Sequence, residues 1–101
     1  MASYIVAYDL VNKKDEQDYQ ELWDELEKLE SIRVQLSLWF VSTHLSAQDL
    51  HDQLKSHMHS DDRLLISEII ADGLAGSEVF HGANDWLEGH PPRNCNGSLR
   101  A

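Results

Sequence analysis

The chain has 101 residues, the size of one domain with a two-layer core that needs no covalent or metal staple. Eight basic residues face eighteen acidic ones, a formal charge of −10, and only six of the basic ones precede residue 89, so residues 1–88 carry −12. That balance disfavours unaided, nonspecific binding to phosphate, and the lone Cys95 in a polar tail excludes a disulfide framework and a cysteine zinc site.

The first apolar run, Tyr4-Ile5-Val6-Ala7-Tyr8, reads as a strand buried on both faces, and it ends at Asp9. An ionised carboxylate is costly beside such a strand unless it is paired, hydrogen-bonded or bound to a cation. At the last strand position it can instead reach the sheet edge, where a metal, a substrate or a second subunit can meet it. The plainer reading is an Asp that opens the turn through Asn12.

The next element is a helix from about Asp18 to Glu30, N-capped by Asp15. Tyr19, Leu22, Trp23, Leu26 and Leu29 form one apolar stripe at helical spacing. Glu21, Asp24, Glu25, Glu27 and Lys28 occupy the opposite face, which reads first as solvated and second as a recognition surface. Residues 32–42 then alternate with period two. Their length calls for either one bent strand or two short strands meeting near Gln35-Leu36-Ser37.

A second helix begins at Ser46 as N-cap, with Asp49 at the capping-box position and Leu45 stapled onto Leu50. Ala47, Leu50, Leu54 and Met58 form its buried stripe. After a polar loop at 59–62, residues 64–70 read as a central strand. A short helix within 77–88 is expected to pack back on the sheet, closing one domain over residues 1–88. Residues 89–101 read as a disordered tail. This order suits a split βαβ layout, an α+β ferredoxin-like βαββαβ sandwich. With both main helices on one face, the other is expected to be uncovered and partly apolar, with Tyr4, Tyr8 and Trp39 among its residues. Apolar faces of that kind mark interfaces, so a homodimer is expected.

Other constellations carry less. His57, His59, Asp61 and Asp62 could bind zinc or nickel, but His57 and His59, two apart at a helix end, do not share a face. Trp23, Trp39 and Trp86 read as core or interface anchors, because no basic residues interleave with them. No signal peptide precedes the first strand and no apolar run approaches ~20 residues, so the expected place is the cytoplasm, with no membrane partner.

Three stretches carry a family resemblance. Tyr8-Asp9-Leu10 at the end of the first strand, the Arg33-Val34-Gln35-Leu36-Ser37-Leu38-Trp39-Phe40 segment, and Asp61-Asp62-Arg63-Leu64-Leu65-Ile66 together resemble the small dimeric protein of CRISPR adaptation, the partner of the integrase. The Ser-x-Trp-Phe strand and the terminal Asp85-Trp86-Leu87 are closer still to its SinR-like offshoot. Virulence-associated protein D, a toxin ribonuclease, is a more distant likeness. The resemblance covers about residues 3–88. It implies a ferredoxin-like homodimer in which Asp9 of each subunit faces its twin and holds one magnesium ion, with Ser37 orienting the site. The activity so implied is a metal-dependent endonuclease on RNA or DNA.

The chain departs from the family in its basic residues: Lys13, Lys14, Arg33, Lys55 and Arg63 are the main supply on the body. The second half also differs from the strand that docks the integrase. Two classes of function therefore stand. One is the magnesium-dependent endonuclease with Asp9 and Ser37 at its centre. The other is a non-catalytic dimeric module of a defence or toxin–antitoxin system that works through a protein partner.

Overall fold

The structure is a computed structural model that describes residues 1–10, 17–70, 73–75 and 82–92, with side chains in the first helix from Gln20 onward. In chain order the elements are β1 (Ala2–Asp9), α1 (Gln17–Glu27), β2 (Glu30–Gln35), β3 (Leu38–Thr43), α2 (Ala47–Lys55), β4 (Arg63–Ile69) and α3 (Ala83–Gly89). The four strands form one sheet in the order β2-β3-β1-β4, every neighbour antiparallel. This is the expected ferredoxin-like α+β arrangement, with β1 in the interior.

Of the two readings for residues 32–42, the paired strands are the one formed. The turn falls at Leu36-Ser37. The strand begins earlier than its alternation suggests because α1 stops at Glu27: Leu29 N–H and the Ser31 hydroxyl both donate to the Leu26 carbonyl, at 3.0 and 2.7 Å. Those bonds satisfy a helix-end carbonyl and turn the chain into β2, so Glu30 belongs to the sheet. Asp15, the expected cap of α1, lies outside the described residues. At α2 the sequence reading holds, with the Ser46 Oγ accepting from Asp49 N–H at 3.1 Å.

Period-two alternation divides the strands between two cores. Ala2, Tyr4, Val6 and Tyr8 of β1, with Trp39 and Val41 of β3, pack against Leu22 and Leu26 of α1 and Leu50 and Leu54 of α2. Each such buried leucine contributes on the order of 1.5–3 kcal/mol. On the opposite face Val34, Phe40 and Ile69 form a second core with Ala83, and Ile5, Ile32, Leu38, Trp86 and Leu87 pack around it.

Three expectations are corrected. Tyr4, Tyr8 and Trp39 face the helices, not the second face, because their polar tips find partners there: the Tyr4 hydroxyl donates to the Leu45 carbonyl at 2.9 Å, and Tyr8 and Trp39 bond each other. The second face is apolar as expected, but α3 covers part of it, with the Trp86 and Phe40 ring centroids 5.9 Å apart. Lastly, β4 is an edge strand, since β1 is its sole neighbour among the described residues; Arg63, Leu65 and Ser67 are exposed along it. A run of aliphatics does not distinguish an edge from an interior position. Beyond α3, Ser3 Oγ donates to the His90 carbonyl at 3.0 Å. Residues 93–101, most of the expected tail, lie outside the described residues.

Candidate functional site

Asp9 ends β1 on the face that α3 shares, at the end of the sheet where Ala7, Leu38, Leu64 and Leu65 line an open concavity of about 720 Å³. Ser37, from the β2–β3 turn, lines the same concavity, so the two sequence-predicted residues are brought together. The link between them is backbone: Tyr8 N–H donates to the Ser37 carbonyl at 3.1 Å, one residue before Asp9. The Asp9 side chain is 70% exposed, so its charge costs little desolvation.

The strand end is held from beneath. Tyr8 Oη accepts from Trp23 Nε1 at 3.0 Å and from Trp39 Nε1 at 3.2 Å, which uses both of its lone pairs. Arg33 lies over the Trp23 ring, its guanidinium carbon 4.9 Å from the centroid, and donates through Nε and Nη2 to the Leu36 carbonyl at 3.2 and 2.6 Å. A slip in the β2–β3 register between Arg33 and Gln35 lets the side chain fold back on its own turn, as bulges commonly re-aim side chains. Arg33 therefore braces the turn that carries Ser37. Neither this arrangement nor the Tyr8 hydroxyl network is visible in the sequence, where Arg33 counts only as one more cation.

Arg63 is the residue that sequence reasoning undervalued. The antiparallel register sets it directly opposite Asp9, with Nη1 4.0 Å from Asp9 Oδ2 and its side chain 76% exposed. Register between strands more than fifty residues apart leaves no local signal. Around the pair, Leu36 and Leu65 are 74% and 65% exposed, an apolar rim on an otherwise acidic chain.

The His57, His59, Asp61, Asp62 group does not assemble. His57 turns to α1, with Nε2 3.3 Å from Glu25 Oε2 and Nδ1 3.7 Å from Glu21 Oε1. Asp62 is buried and accepts from the His59 backbone N–H at 2.9 Å, while Lys55 Nζ donates to the carbonyls of His59 and Asp62. Among the described residues no three His, Cys, Asp or Glu side chains are grouped to hold a metal ion. Glu25 is held below the usual glutamate range, chiefly by the hydrogen bond from Lys28, against the opposing effect of burial and helped by Gln53 and His57. Its role is to join α1 to α2, through the Gln53 Nε2 donation at 3.1 Å.

Among the described residues no helix is long and apolar enough to cross a membrane. No solved structure matches the chain. A family model does: that of CRISPR associated protein Cas2, over residues 1–73, a span that runs from β1 through β4 and takes in Asp9, Ser37 and Arg63. With nearly three quarters of its length matched, the chain belongs to the CRISPR associated protein Cas2 family.

Proposed function

We propose that this protein acts in the cytoplasm as a homodimer of the CRISPR-adaptation type, and that Asp9 of each protomer together hold one magnesium ion for endonuclease chemistry on RNA or DNA. The observation that carries the reading is the position of Asp9, an exposed carboxylate at an open strand end beside Ser37. Hard oxygen donors suit magnesium, and one carboxylate per chain leaves the remaining positions to a second copy and water. The outer edge of β4, which has no second strand neighbour among the described residues, and the exposed Leu36 and Leu65 supply surface for that copy. When bound, the ion would lower the pKa of a water and polarise a phosphodiester. Asp9 would hold it, Ser37 would orient the neighbouring polar groups, and Leu36 and Leu65 would limit water at the rim.

The test combines light scattering, magnesium-dependent melting and cleavage of RNA and DNA oligonucleotides. A dimer is expected whose melting temperature rises with magnesium, because a ligand of the native state stabilises it. Asp9→Asn is expected to abolish that rise and all cleavage while leaving the circular dichroism spectrum intact. A wild-type chain that neither responds to magnesium or manganese nor cleaves either polymer would sink the catalytic reading.

The second reading, a non-catalytic dimeric module that works through a protein partner, is favoured by a specific pair of observations. The chain carries −10, and Arg33 is committed to its own turn. A dimer with no magnesium response, recovered with a protein partner after mild purification, is its expected signature.

A further inference from the structure

We propose that Arg63 is the oxyanion contact of the Asp9 site, a guanidinium that takes a phosphodiester oxygen of the substrate once a cation has drawn Asp9 away from it. The inference rests on the reading of Asp9 as a metal ligand. Three observations carry it. Arg63 is the register partner of Asp9 and lines the same concavity. The 4.0 Å approach is an ion pair without a hydrogen bond, so Asp9 does not fix the guanidinium's N–H donors. The other arginine nearby, Arg33, already donates through Nε and Nη2 to the Leu36 carbonyl. A planar guanidinium matches two phosphate oxygens, which the −10 chain would otherwise repel. Asp9 thus has two rival cations. With Arg63 alone beside it the carboxylate is neutralised; with a divalent ion on Asp9, Arg63 is released toward solvent and the incoming phosphate.

The test uses the full chain as wild type, Arg63→Gln, Arg63→Lys and Asp9→Asn. Magnesium alone is titrated by melting temperature, and a short fluorescent single-stranded RNA and its DNA counterpart are titrated with magnesium at several salt concentrations. Removing a unit charge 4.0 Å from Asp9 at water-like dielectric is expected to lower the magnesium midpoint by about fivefold. Arg63→Gln should also weaken oligonucleotide binding about fivefold or more and reduce the salt slope by about one, with Arg63→Lys in between. RNA or DNA serves equally, since the phosphodiester is common to both. If Arg63→Gln leaves oligonucleotide affinity and salt slope unchanged while Asp9→Asn still removes the magnesium response, Arg63 is only a counter-ion and the Asp9 reading survives. If the wild type shows no magnesium response, that reading fails and this inference fails with it.

Discussion

Replacing Tyr8 by Phe removes one oxygen and leaves two indole N–H groups without their acceptor. Trp39, 6% exposed, points its N–H into the core between the sheet and the helices; Trp23 is half-buried. A buried donor stripped of its partner costs about 1–3 kcal/mol, and the half-buried one falls at the low end of that range. The expected loss is therefore about 2–4 kcal/mol, a large share of a stability of roughly 5–15 kcal/mol. For a domain of this size each kcal/mol is worth about 4–8 °C, so melting should fall by at least about 8 °C. Urea denaturation followed by far-UV circular dichroism measures the loss directly, provided the m-value is unchanged. A double-mutant cycle with Trp39→Phe isolates the pair. Deleting both partners should cost about 1 kcal/mol or more less than the sum of the single losses. A loss below about 1 kcal/mol for Tyr8→Phe, or strict additivity, would refute the claim that this hydroxyl organises the end of β1.

Ser46→Ala should cost about 1 kcal/mol in urea denaturation, since it removes the acceptor for Asp49 N–H at the start of α2; Ser46→Gly should cost less. Gly82 precedes α3 with φ of 92°, and a Cβ there would meet only Ile32 Cδ1 at 3.5 Å. Gly82→Ala should therefore cost about 1–2 kcal/mol through backbone strain alone, seen as a loss of near-ultraviolet Trp86 signal before the sheet melts. Because the folded Glu25 pKa is lowered, chiefly by Lys28, its contribution to stability is complete above the unfolded value of roughly 4.3 and is lost as pH falls through the folded value. Glu25→Gln should reduce the acid dependence of stability below about pH 4.3, and an unchanged slope there would remove Glu25 from the account.

The elements themselves were legible in the sequence because local physics writes them. The stripe of Leu22, Trp23 and Leu26, the Ser46 cap and the period-two alternation from Ile32 each reflect backbone geometry within a few residues. The fold class followed as well, because short connections leave few ways to arrange strand, helix, paired strands, helix and strand. Asp9 stood out by its place at a strand end and Ser37 through the family resemblance, and the fold sets both on one concavity.

What depended on tertiary structure was everything that joins distant segments. Alternation shows that β1 has two faces but not which one meets the helices. The choice rests on Tyr4 finding the Leu45 carbonyl and Tyr8 finding two indoles. Nor does a run of aliphatics say whether β4 lies inside the sheet or at its edge, or that α3 docks over Phe40. Arg33 and Arg63 carry the same charge and the same side chain. One braces a turn and the other faces Asp9, because a register slip folds the first back while strand pairing sets the second across from the carboxylate.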